Sequence, residues 1–290
     1  MKTSAKKPGW EDYFELTKPR LTAVALMPVV LGYLMGRGSW EPLSPLFKTL
    51  LGSMLVGAGA NALNQYLEKD TDLKMHRTEN RPLPAGRIGE GTALTLGAFL
   101  CSSGILGLFL WVNALSAFFA SLTVLTYVFF YTPLKKITYL NTYVGAIPGA
   151  LPCLIGWSAS GAEFGIHPWI LFAILFLWQL PHFFAIAWIY RDDYRRGGLK
   201  MLPACDESGL LTSWKLVLLS TSLLALSLAP WFAGMSGESY LAAAILLGIL
   251  FVAMSLGMVK SRLSMAKNYV SASIIYLVLL IISMVADKKI

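Results

Sequence analysis

A chain of 290 residues that is 56% hydrophobic and only 14% charged cannot cover a soluble globule of that size with polar surface. Its apolar residues fall in long runs rather than short alternating segments, which argues against a transmembrane barrel. The net charge of +8 reads as a topological signal, with membrane lipid as the surface partner it suggests and no nucleic-acid partner expected.

The chain opens with MKTSAKKPGWEDYFELTKPR, which has no apolar core suited to a cleaved signal peptide and is short for a transit peptide. Residues 1–19 are therefore expected as a cytoplasmic N-terminal segment. Windows of about 20 apolar residues then predict nine spans, at 20–36, 46–66, 91–111, 114–131, 141–160, 168–190, 214–234, 240–259 and 270–286. No linker, charge block or low-complexity tract separates them. The expectation is an all-α polytopic membrane protein, nine transmembrane helices in a single bundle, one domain over 1–290, with the N-terminus cytoplasmic.

Orientation follows from the bases. With the N-terminus inside, all of the 24 Lys and Arg residues except Arg37, Lys48, Lys288 and Lys289 fall on the inner side, as the positive-inside rule requires. Cys101, Cys153 and Cys205 are widely spaced and suggest neither a disulfide framework nor a metal site. A bacterial cytoplasmic (inner) membrane fits best. Trp40, Trp111, Trp169 and Trp231 fall near span ends, where aromatic belts form.

The first inner connection, NALNQYLEKDTDLKMHRTENRPLPAGR (residues 61–87), carries the densest chemistry. Asn64, Glu68 and Asp72 stand at i, i+4 and i+8. If the second helix continues through them, each step turns by about 40° and all three share one face. Oxygen ligands so arranged suit Mg²⁺, which is held by one or two carboxylates plus substrate phosphates. Lys74, Arg77, Arg81 and Arg87 follow and could hold phosphate oxygens. The competing reading is a solvated interfacial loop whose charges pair off; the ladder spacing and the stiff RPLP segment favour a diphosphate site.

Further along, YTPLKK supplies Tyr131, Lys135 and Lys136, either as phosphate contacts or as topological lysines after a proline-marked helix end. His182 follows Pro181 inside the sixth apolar run, where an ionisable group is costly. It could ligate iron or satisfy backbone groups freed by the proline. His76 reads as a surface or phosphate-shell residue and His167 as structural. The loop YRDDYRRGGLKMLP (190–203) repeats the acid–base theme, with Asp192 and Asp193 among Arg191, Arg195, Arg196 and Lys200. It lies on the same side as the first loop and could hold a second metal.

These segments resemble the UbiA-type intramembrane prenyltransferases, whose pattern is nine helices and two aspartate-rich inner loops binding an isoprenoid diphosphate through Mg²⁺. The NxxxDxxxD motif of that family is matched by Asn64, Glu68 and Asp72, with Glu in place of the first Asp. MHRTENRPLPAGRI, YTPLKK, GAIPGALPCLIGW, FLWQLPHFFAIAW and YRDDYRRGGLKMLP are similar to its haem-farnesylating branch. In the second loop Tyr190 and Tyr194 stand where quinone-type relatives carry acids. The resemblance implies Mg-dependent transfer of a farnesyl group from farnesyl diphosphate to a vinyl group of haem B, with addition of water, giving haem O. It implies a catalytic and metal-binding set of Asn64, Glu68, Asp72, Asp192 and Asp193, diphosphate contacts from Lys74, Arg77, Arg81, Tyr131, Lys135 and Lys200, and a haem contact at His182. A haem A synthase or a terminal oxidase assembly would receive the product. The alternatives are a relative acting on an aromatic or quinone precursor, a transporter, and a lipid-phosphate scaffold. The charges gather at one face rather than the midplane, against transport, and a scaffold needs no Asn64–Glu68–Asp72 ladder.

Overall fold

The computed structural model describes residues 8–37 and 43–290. Lys2, Lys6, Lys7 and Trp40 lie outside the described residues. Among those described, every regular element is helical, and eight segments are long and apolar enough to cross a membrane: Trp10–Gly36, Ser44–Asp72, Glu90–Trp111, Ala114–Leu134, His167–Ile189, Leu210–Phe232, Glu238–Lys260 and Ala266–Ala286. The chain is a multi-pass helical membrane protein.

Helix begins earlier than expected. α1 (Trp10–Thr17) starts at Gly9, whose N–H donates to Asp12 Oδ2 at 3.0 Å. It ends at Lys18, which turns left-handed with φ 48°. Pro19 then opens α2 (Pro19–Ala25), where its missing N–H costs nothing. α3 (Met27–Gly36) follows. Residues 10–17 of the expected non-spanning segment are thus helical, separated from the helices of the first span by the turn at Lys18.

α4 (Ser44–Asp72) runs six residues past the expected limit of 66, because nothing in LEKDTD breaks a helix. α5 (Glu90–Trp111) packs along it so closely that a β-carbon on Gly59 would lie 2.6 Å from the Gly97 carbonyl oxygen. Such small-residue contacts supply the association that the hydrophobic effect cannot supply between helices in lipid. α6 (Ala114–Val124) widens into a π-helical turn, Leu125–Tyr131, before α7 (Thr132–Leu134).

α8 (Asn141–Ala159) occupies the expected fifth span but is not among the eight apolar segments. The reason is its position. Fourteen of its 19 residues are buried, since it lies against α3, α6 and α9 (His167–Ile189). Protein rather than lipid surrounds it, so it tolerates Asn, Thr, Gly and two internal prolines.

α10 (Arg191–Arg196), α11 (Leu202–Cys205), α12 (Leu210–Leu226), α13 (Ala229–Phe232), α14 (Glu238–Lys260) and α15 (Ala266–Ala286) complete the order. The buried hydroxyls among α12, α14 and α15 pair with one another: Tyr269 lies 2.8 Å from Ser220 and 3.0 Å from Ser255, and Tyr276 lies 2.9 Å from Ser227. Outward, Phe47, Phe99, Phe129 and Leu246 are exposed, as a lipid-facing surface requires. The three cysteines are free, Cys101 and Cys153 buried and Cys205 exposed.

Candidate active site

The extension of α4 places Asn64, Glu68 and Asp72 on one face, 2%, 7% and 0% exposed. They line a cavity of about 130 Å³ together with Lys18, Met75, Arg77, Arg81, Tyr127, Tyr131, Lys135, Tyr194, Leu199 and Met201. Each acid has a base from elsewhere in the chain. Lys135 Nζ lies 2.6 Å from Glu68 Oε1, and Arg81 Nη1 donates to Asp72 Oδ2 at 2.6 Å. Burial disfavours the Lys135 ammonium, but the Glu68 carboxylate and the flanking tyrosines more than offset it and raise its pKa. Lys135 is therefore a fixed positive charge across the physiological range.

Asn64 is held by Thr132, whose Oγ1 accepts from Asn64 Nδ2 at 3.1 Å and donates to the Tyr127 carbonyl at 2.8 Å. The π-helical turn sets this register. It also stacks Tyr127 on Tyr131, with ring centroids 5.8 Å apart, and puts the Tyr131 ring 4.4 Å from Lys135 Nζ. π-turns of this kind recur at functional sites.

Two features suit a divalent cation with a polyanion. Asp72 Oδ1 is fully buried and has no hydrogen-bond partner, an arrangement that costs free energy unless something else fills its lone pairs. Three cations, Arg77, Arg81 and Lys135, and the amine of Lys18 face only two carboxylates in the wall, leaving an excess of positive charge for an anion. Among the described residues no group of three or more His, Cys, Asp and Glu forms a closed metal cage.

The second loop contributes differently from what its acids suggest. Asp192 is exposed and pairs with Arg195 three residues on, at 3.4 Å. Asp193 is buried, pairs with Arg196, and accepts the His76 N–H at 3.3 Å. Burial raises its pKa, but Arg196 and the backbone N–H groups of Arg77 and His76 outweigh that and hold the carboxyl below the usual range. Neither acid lines the cavity. Each is claimed by an arginine of its own short helix, so the expected second metal pair is not presented to the site. The loop instead supplies Tyr194, Leu199 and Met201 to the wall.

Of the other expected contacts, Arg77, Arg81, Tyr131 and Lys135 converge on the cavity, whereas Lys74 and Lys200 are exposed and do not line it. The backbone of Lys200 is still structural: its N–H donates to the Lys135 carbonyl at 2.6 Å. His76 is exposed beside Glu79, at 3.8 Å. His182 lies apart, on the face of α9 toward α15. It is 9% exposed, stacks on Trp178 at 5.1 Å, and has Nδ1 2.6 Å from Ser273 Oγ. Sequence reasoning missed Lys18, Tyr127 and Tyr194 as wall residues. Lys18 was counted only as a topological base, although its place before Pro19 was a signal that the backbone turns there.

A bundle of membrane-spanning helices with a cationic cavity at the end of α4, walled by Asn, Glu and Asp, defines a membrane enzyme acting on a polyanion. The chain belongs to the UbiA prenyltransferase family, whose model matches residues 25–282. It is 43% identical over 287 residues to a protoheme IX farnesyltransferase of Solibacter usitatus, covering 96% of this chain and 98% of that one. It is 40% identical to a protoheme IX farnesyltransferase of Opitutus terrae, covering 99% and 97%. In fold it is similar to a UbiA homologue from Archaeoglobus fulgidus bound to DMAPP and Mg²⁺, with a TM-score of 0.71 and 17% identity over 94% of this chain and 99% of that one.

Proposed function

We propose that this protein transfers a farnesyl group from farnesyl diphosphate to a vinyl group of haem B, with addition of water, releasing diphosphate and giving haem O. The observation that carries the reading is the cavity in which the Asn64–Glu68–Asp72 face meets Lys18, Arg77, Arg81 and Lys135. The full-length likeness to protoheme IX farnesyltransferases supports haem as the acceptor.

Asn64, Glu68 and Asp72 would hold Mg²⁺, which when bound supplies Lewis-acid neutralisation of the diphosphate. Lys18, Arg77, Arg81 and Lys135 bind diphosphate oxygens and stabilise the negative charge that grows on the leaving group as the allylic carbon–oxygen bond breaks. Tyr127, Tyr131, Met75, Leu199 and Met201 surround that charge with a low-dielectric wall that limits water. Asp193 ties the second loop to the first through the His76 N–H. Ser273 Oγ lies 2.6 Å from Nδ1 of His182, so Nε2 is the nitrogen that would be left to contact haem iron.

In the same reading α8 is a ninth crossing, the N-terminus is cytoplasmic, and the cavity opens on the cytoplasmic side of a bacterial inner membrane. The distribution of bases supports this. The product would pass to a haem A synthase or a terminal oxidase assembly.

The test is incubation of the purified protein in detergent with haem B, farnesyl diphosphate and Mg²⁺, with mass spectrometry of the haem. Haem O is the expected product. Turnover of an aromatic or quinone precursor instead would retain prenyl transfer and refute the acceptor.

A further inference from the structure

α1 is fastened to the first loop by one arginine. Arg87 Nε donates to Asp12 Oδ1 at 2.6 Å, its Nη2 to Glu15 Oε2 at 2.9 Å, and its Nη1 to the Asn80 carbonyl at 2.9 Å. From α4, Gln65 Nε2 donates to the carbonyls of Glu15 and Leu16 at 3.2 and 2.8 Å, occupying groups that the end of α1 would leave bare. Leu16 is fully buried in a small cluster with Ala62, Leu83, Ile88 and Ala93.

The next residue but one is Lys18, which lines the cavity beside Glu68, Asp72 and Arg81. Its φ of 48° is left-handed, a conformation that strains a residue with a β-carbon. Such strain persists only where the surroundings over-determine it. Here they do: α1 is pinned on one side, and Pro19 sets the start of α2 on the other. Arg87 itself does not line the cavity, and three of its donors are engaged elsewhere. The expectation that it holds phosphate therefore does not fit its geometry.

We propose that Arg87 is a positioning residue: by clamping Asp12 and Glu15 of α1 to the first loop, it holds the Lys18 side chain in the diphosphate cavity. The inference rests on the diphosphate reading above, and its test separates the two.

Affinity of the full-length protein for inorganic diphosphate with Mg²⁺, measured by calorimetry, should fall ~10-fold or more in Lys18→Met, the scale of one charge-assisted hydrogen bond. Arg87→Met should cost a similar factor. The double variant should be no more than ~3-fold worse than the weaker single, because both changes remove the same contact. Full multiplication of the two effects, or wild-type affinity in Arg87→Met, would overturn the proposal. Hydrogen exchange of the amides of residues 10–17, read without diphosphate, should quicken in Arg87→Met and recover in Arg87→Lys. Unchanged exchange in Arg87→Met would also overturn it. Absence of diphosphate binding in the wild type, with α1 loosened by Arg87→Met, would refute the substrate reading while upholding the clamp.

Discussion

The two acid–base loops both mix acids with bases, yet their architectures are opposite. In the first, the acids ride on the last two turns of a 29-residue helix, are buried, and meet bases outside that helix, Lys135 from a later connection and Arg81 nine residues on. In the second, the acids sit on a six-residue helix and are paired with arginines three residues on. A pair within one turn neutralises itself and can face solvent. A pair between elements needs the fold to bring it together, and in doing so it builds a wall. The difference teaches that an acid-rich motif becomes a site only where the helix beneath it carries the acids inward.

The largest effect expected is at Asp72. Asp72→Asn should lower kcat/KM by ~10³-fold, removing the carboxylate at the centre of the charged cavity. Asp192→Asn should stay within ~3-fold, as exposed short-range pairs contribute little. Equal losses at the two positions would erase the contrast between the loops.

Next comes Lys135→Met, for which we expect a ~10²-fold fall in kcat at unchanged haem B affinity. A loss confined to haem B affinity would move Lys135 out of the diphosphate wall. His182→Ala should weaken haem B binding ~10-fold, read by absorbance titration, and leave binding of inorganic diphosphate intact. Loss of diphosphate binding instead would show that α9 belongs to the cavity.

The smallest effect concerns Asp206, which closes the second loop onto α12 by accepting the N–H groups of Gly209 at 3.0 Å and Thr212 at 2.7 Å. Burial raises its pKa, but these backbone bonds and the Ser208 hydroxyl lower it further than burial raises it. A depressed folded-state pKa means stabilisation present above the unfolded value of about 3.9 and lost as pH falls through the folded value. Asp206→Asn should therefore cost about 1 kcal/mol at pH 7, with the gap to wild type closing in acid. Thermal unfolding at pH 7 and below pH 4 reads it, and a gap that widens in acid would reverse the assignment.

Much of this was legible beforehand because the signals are local. Apolar runs of about 20 residues mark helices that must satisfy their own backbone in lipid, and the spacing of Asn64, Glu68 and Asp72 determines a face once the helix continues. The exceptions share a cause. α8 shows weaker hydropathy because protein surrounds it, and α1 gains its place from Arg87 and Gln65, which lie far away in the chain.

By itself, the sequence determined that this is a helical membrane protein, which of its faces gathers charge, and that one acid ladder suits a metal and a diphosphate. Only the tertiary structure decided that Lys18, Tyr127 and Tyr194 line the same cavity as that ladder, that Asp192 and Asp193 pair with arginines outside it, and that His182 packs toward α15. Periodicity along a helix specifies which residues share a face. What that face meets depends on contacts between segments tens of residues apart, and there the packing of α4, the π-helical turn and the N-terminal helix selects the partners.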